Sequence, residues 1–145
     1  MITIWIDMDG TIANLYAVEN WLPMLRAFDE TPYAEAKPLP HMATLARLLN
    51  RVQAYGYRIA ILSALSKDST AEYDRRVIQA KMRWLKKHLP SVQFDEMRFV
   101  PYDYIKNNAN NGADILFDDE QRHLDAWTSA AFPAKDLIDI LKILR

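Results

Sequence analysis

Cysteine is absent from this 145-residue chain, so it has no disulfide framework, no thiolate metal site and no cysteine nucleophile. Glycine is scarce as well. Three glycines leave no material for a glycine-rich phosphate loop of the P-loop or dinucleotide type, and two large groups of nucleotide binders drop out. The formal net charge of −1 gives no electrostatic footprint for nucleic acid or an anionic membrane, so neither is expected as a partner. Uninterrupted apolar runs fall well short of a bilayer span. No leader-like segment opens the sequence, because a strand pattern begins at once and ends in acids. A cytoplasmic location fits these absences. Repeats and low-complexity tracts are also missing, and Asn107-Asn108-Ala109-Asn110-Asn111-Gly112 reads as a polar, turn-rich connector.

What is present is a normal globular balance, 50% hydrophobic and 26% charged, at a length that suits one domain over residues 1–145. Leu15, Val18, Leu22 and Leu25 recur at helical spacing, but Pro23 interrupts them, so a kink or two short helices are expected. Three prolines between Asp29 and Pro40 predict a loop. Met42, Leu45, Leu49 and Val52 define an amphipathic helix that Gly56 is placed to end. A buried strand follows from Tyr57 to Leu62. Ser69-Thr70-Ala71-Glu72 reads as a capping box for a long helix to about His88, closed by Pro90. Met97–Val100 and Ala113–Phe117 are further strands, with a brief helix between them capped by Asp103 and running through Lys106. A helix to Trp127, a short strand near Ala131 and a final helix carrying Leu137, Leu141 and Leu144 complete the pattern. Strands alternating with helices imply parallel pairing through right-handed crossovers. The expected fold class is therefore α/β, a three-layer Rossmann-like parallel sheet with helices on both faces.

In such a sheet the C-terminal strand ends share one edge, and there the chemistry gathers. Ile2-Thr3-Ile4-Trp5-Ile6 leads directly into Asp7-Met8-Asp9-Gly10-Thr11, the second strand ends at Ser63, and the fourth ends in Asp118-Asp119. Carboxylates released together repel one another unless a proton or cation holds them, and Mg2+ is a hard ion that prefers such oxygen ligands. An ionised aspartate is a competent nucleophile toward phosphorus, and a second one can protonate the leaving oxygen and later activate water. Hydroxyls from Thr11 or Ser63 can bond phosphoryl oxygens, and a lysine can offset the charge spread over the transferring group. Lys106, between the third and fourth strands, is the candidate for that lysine. Lys81 is its rival, because it falls within the apolar face of the long helix; a snorkelling stem is the plainer reading of it.

Asp7-Met8-Asp9-Gly10-Thr11, Ile61-Leu62-Ser63, Lys106 and Ile115-Leu116-Phe117-Asp118-Asp119 resemble, in order, the four motifs of the haloacid dehalogenase superfamily of phosphohydrolases. The resemblance implies that Asp7 is nucleophile and metal ligand, and that Asp9 is the acid/base and binds metal through its backbone carbonyl. It implies that Asp119 is the direct metal ligand and Asp118 its support, or the reverse, with Mg2+ as cofactor. Together with the Lys81–His88 segment, the pattern looks like the 5'(3')-deoxyribonucleotidase family and its phage and bacterial relatives, which implies nucleoside monophosphates as substrates. Residues 12–39 are all that remain for a flap or reduced cap, less than those nucleotidases carry. A minimal cap leaves room for a large substrate, such as a nucleic-acid terminal phosphate, or for a second copy of the chain covering the site.

Several side chains have plainer readings. Ser66 and Ser69 suit turn and cap positions. Tyr16, Trp21, Phe28 and Tyr33 could stack on a base, but aromatics at helical spacing usually pack in a core. His41, His88 and His123 fall on predicted helix surfaces and are assigned no role, and Arg83 to Lys87 reads as a solvated face or a phosphate-attracting rim. A non-catalytic binding module would be expected to lack one of the four motifs, and none is missing. A receiver domain carries its acidic pair on the first strand, whereas the adjacent pair here ends the fourth.

Overall fold

The computed structural model describes residues 1–145. Five strands, β1 (Thr3–Ile6), β2 (Arg58–Ala64), β3 (Glu96–Val100), β4 (Ile115–Asp118) and β5 (Ala131–Pro133), form one parallel sheet in the order β3-β2-β1-β4-β5. All four residues of β1 are buried, as a continuous apolar run requires of a strand covered on both faces. The chain moves outward from β1 to β2 and β3, then crosses to the far side for β4. That reversal opens a crevice between the C-terminal ends of β1 and β4, where open α/β sheets bind ligands.

Alternate strand residues point to opposite faces. Ile4, Ile6, Ile59, Ile61, Ile115 and Phe117 meet α3 (Met42–Ala54), α4 (Ala71–His88) and α6 (Leu137–Ile143) in the larger core. Trp5, Ala60, Leu62 and Leu116 meet a thinner layer containing Val100, Ala109 and Trp127, built by the 3-10 helix Lys106–Ala109 and α5 (Gln121–Ala126). No helix is long and apolar enough to cross a membrane.

Between β1 and α3 lie a 3-10 turn (Leu15–Ala17), α1 (Trp21–Arg26) and α2 (Thr31–Glu35). The helical pattern is indeed split into two short pieces, but the break falls at residues 18–20, and Pro23 sits in the first turn of α1, where its missing N–H is not needed. The second half of this segment is fastened to α4 by side-chain donors on backbone carbonyls. Arg76 Nη2 donates to Phe28 O (2.8 Å), Tyr73 Oη to Asp29 O (2.9 Å) and Trp84 Nε1 to Ala36 O (2.7 Å). Trp84 is buried as well as bonded, so Trp84→Ala should cost about 3–5 kcal/mol. The first half is held differently: α1 buries none of its residues, and Asn20 and Phe28 on either side of it have φ of +61° and +59°.

Three local expectations change. The proline-rich stretch contains α2, because the Asp29 carboxylate accepts from Thr31 N and Oγ1 (2.9 and 2.6 Å) and Pro32 sits in a first turn where its missing N–H is not needed. Thr70, rather than Ser69, caps α4, since its Oγ1 accepts from Tyr73 N at 3.1 Å. Asp103 caps nothing. The short helix begins only at Lys106, whose ammonium is drawn inward by two acids.

Candidate active site

Asp7 follows β1 directly, and the chain then turns tightly: Met8 O accepts from Thr11, Ile12 and Ala13 N at 3.0–3.1 Å. Gly10 has φ of +81°, and a Cβ there would lie 2.1 Å from Asp119 Oδ2. Only glycine permits both the turn and that approach. The turn leaves Asp7 facing β4, with its N–H on Phe117 O (3.0 Å).

Two lysines serve the acids. Lys106 Nζ donates to Asp7 Oδ1 (2.9 Å) and Asp118 Oδ2 (2.6 Å), while Thr11 Oγ1 donates to Asp7 Oδ2 (3.0 Å). Lys81 Nζ donates to Asp9 Oδ2 (2.9 Å), Ser63 Oγ (2.7 Å) and Ala64 O (2.9 Å), and sits 4.8 Å from the centre of the Tyr33 ring. Both lysines are at most 2% exposed, so Lys81 does not snorkel, and the two rivals occupy neighbouring places in one site. Asp118 is fully buried and also accepts Glu120 N at 3.0 Å.

The carboxylates of Asp7, Asp118 and Asp119 each offer an oxygen within 4.8 Å of the others. Burial pushes the Asp7 carboxyl up, but the Lys106 charge and the bonds from Asp119, Lys106 and Thr11 outweigh it and hold Asp7 below the usual range. Asp119 moves the other way. Partial burial, then the charge of Asp7 and its hydrogen bond, then Asp118, push it up to about 9. Asp118 rises to about 6 through burial and the Asp7 charge, against the pull of Lys106. Three acids that cannot all ionise comfortably, on hard oxygen ligands and with a backbone approach kept open by Gly10, are a donor set that fits a divalent cation. Asp9 lies outside that cluster. Burial raises its carboxyl, the Lys81 charge opposes the rise and the Asp7 charge adds to it.

Above these groups lies a cavity of about 420 Å³, lined by Asp7, Asp9 and Lys106 at its base. Tyr16, Trp21, Phe28 and Tyr33 all line it; Tyr33 is buried, while Tyr16 and Phe28 are more than two-fifths exposed. Tyr33 also belongs to a small buried cluster with Leu15, Leu65, Tyr73 and Val77, against which Trp21 packs, so these two are core and pocket wall at once, while Tyr16 and Phe28 are wall alone. Ser63 and Thr11 are buried and engaged with Lys81 and Asp7.

His123 and Ser66, to which sequence reasoning gave no part in the site, both line the cavity. His123 is not a surface histidine: it is 6% exposed, lines the cavity, and is pushed down to about 4 by burial and the nearby Lys106 charge. Its position on a six-residue helix gave no periodicity to place it. Ser66 also lines the cavity and lies 2.6 Å from Tyr33 Oη. Arg83 and Lys87 line a separate groove between α2 and α4 with Glu30, Glu35 and Arg76, away from the acids.

Sheet order and strand ends define the class: a three-layer, Rossmann-like α/β fold with little inserted after β1. No family model matches the chain, and no curated protein matches it. Among solved structures it is similar to the D,D-heptose 1,7-bisphosphate phosphatase from Burkholderia thailandensis, with a TM-score of 0.60 over 98% of this chain and 97% of that one. Identity is 15%, so the likeness establishes the shared fold.

Proposed function

We propose that the chain is a Mg2+-dependent phosphomonoesterase that works through an aspartyl-phosphate on Asp7, with nucleoside monophosphates as substrates. The observation that carries the reading is the placing of Asp7, kept ionised beside Lys106, next to Asp9, whose carboxyl is raised, at the base of one cavity. A fold shared with a phosphatase supports it.

In the first step an Asp7 oxygen attacks phosphorus and the ester P–O bond breaks. The departing oxygen takes the proton of Asp9. In the second step water attacks the same phosphorus and gives a proton to Asp9, and the bond to Asp7 breaks, releasing inorganic phosphate and the carboxylate. Lys106 offsets negative charge on the transferring group. Asp7, Asp119 and the backbone carbonyl of Asp9 would hold Mg2+, with Asp118 as support; the ion supplies charge that lets carboxylates approach a phosphate dianion. Ser63 and Thr11 remain the proposed phosphate-side hydroxyls, Thr11 by turning its one proton from Asp7 Oδ2 to a phosphoryl oxygen. The nucleotide reading rests on the pocket walls, since an aromatic side chain stacked on a base is worth about 1–3 kcal/mol.

The test is a screen of nucleotides, sugar phosphates, phosphorylated oligonucleotides and a generic phosphomonoester. Nucleoside monophosphates should be turned over best, chelation should silence the protein, and Asp7→Asn should lower turnover at least about a thousandfold with the fold intact. Full activity of that variant would sink the mechanism. Preference for oligonucleotides would move the substrate to the ends of nucleic acid, and preference for sugar phosphates would remove the nucleotide.

A further inference from the structure

We propose that Lys81 is a positioning residue, which fixes the acid/base Asp9 and gives no hydrogen bond to substrate. The proposal rests on the phosphatase reading above and goes beyond it. An ammonium group has three protons. Those of Lys81 meet three protein acceptors, Asp9 Oδ2, Ser63 Oγ and Ala64 O, at 2.7–2.9 Å, and the side chain is 1% exposed. Lys106 has two such acceptors, Asp7 Oδ1 and Asp118 Oδ2, and it lines the cavity. One of its protons is left for a phosphoryl oxygen. Counting donors thus separates two lysines that the sequence left as rivals.

The consequence falls on Asp9. Its Oδ2 is tied back to α4 through Lys81, while Asp9 itself lines the cavity and its Oδ1 makes no hydrogen bond within the protein. A carboxyl held by one oxygen presents the other in a fixed direction, which is what proton delivery to a departing oxygen needs. The Tyr33 ring closes the remaining side of the ammonium at 4.8 Å, and Tyr33 belongs to α2. Lys81 therefore joins the segment after β1, the long helix and the acid/base. A buried ion pair seldom adds stability over an apolar pair of the same volume, so Lys81→Met should fold.

The test is the dependence of kcat/KM on the leaving group. An alkyl phosphate needs its departing oxygen protonated, whereas a nitrophenyl phosphate releases a stable phenolate without that help. Lys81→Met should lower kcat/KM for the alkyl phosphate roughly a hundredfold and for the nitrophenyl phosphate less than about fivefold. In an Asp9→Asn background the same substitution should change the alkyl rate less than about threefold, because its partner is already gone. Equal losses on both substrates, no loss on either, or an undiminished effect in the Asp9→Asn background would each overturn the proposal. Should Lys81→Met fail to fold, Lys81→Gln must show the same split at smaller size. A wild-type protein that hydrolyses neither substrate fails the phosphatase reading itself; an active wild type without the split fails only this inference.

Discussion

Each end of β4 buries an aspartate, and the two are treated in opposite ways. Asp114, at the N-terminal end, is 2% exposed and accepts Thr3 N (2.9 Å), Trp5 Nε1 (3.0 Å) and Asn111 N (3.0 Å). Its backbone carbonyl takes Trp127 Nε1 (3.0 Å) and Ser129 Oγ. Neutral donors fixed by backbone and packing satisfy it, and no lysine or arginine is spent on it. Asp118, four residues on, shares Lys106 with Asp7 and stands within reach of Asp119. Four carboxylates near that edge, counting Asp9, meet two ammonium groups. A buried acid matched by fixed neutral donors acts as a brace. A group of acids in excess of its cations keeps the capacity to hold something else.

Substitutions at the two ends should break the molecule in different currencies. Asp118→Asn is expected to lower turnover roughly a hundredfold or more, since Lys106 loses an anchor and the acid cluster loses a member, while the unfolding temperature moves by a few degrees at most. Steady-state rates beside a thermal melt check this; a large melt shift with turnover retained would reverse the assignment. Asp114→Ala should do the opposite. It strands two buried donors, Thr3 N and Trp5 Nε1, and a partly buried one at Asn111, which costs about 3 kcal/mol and lowers the unfolding temperature by roughly 10 °C in a domain of this size. Turnover per folded molecule should be unchanged.

The smallest effect is the pH dependence of the metal-free protein. Asp119 and Asp118 are raised to about 9 and about 6, above their unfolded value of 3.8. Their protonated forms favour the fold, so that contribution is full below the unfolded value and is lost as pH rises through 6 and on to 9. Unfolding temperature measured in chelator should therefore fall toward alkaline pH. Added Mg2+ should raise it most at the alkaline end, and Asp119→Asn should flatten the slope. A chelated protein equally stable at pH 6 and 9 would show that the acids do not crowd one another.

The same contrast explains how much was legible beforehand. β1, β2 and β4 could be read because parallel strands are continuous apolar runs, and a parallel sheet puts their ends on one edge whatever lies between. Asp7, Asp9, Ser63, Asp118 and Asp119 follow from that rule; Lys106, on a 3-10 helix six residues past β3, was singled out by its place between the third and fourth strands. Side chains that reach the site from helices did not follow. Lys81 sits in the apolar face of α4, where burial looks improbable until its three acceptors are seen. His123 lies on a helix too short to show a period. Asp114 read as an unremarked strand residue, since nothing local shows that Thr3 and Trp5, more than a hundred positions earlier, supply its donors. α2 was hidden by the prolines around it.

The most direct measurement is chemical trapping of the phosphoryl group. The protein is mixed with a labelled phosphomonoester and Mg2+, quenched in acid within one turnover and digested, and the label is located by mass spectrometry. The account predicts label on the peptide containing Asp7 and none in Asp7→Asn. Turnover without a labelled peptide, or label carried by Asp118 or Asp119, would contradict it.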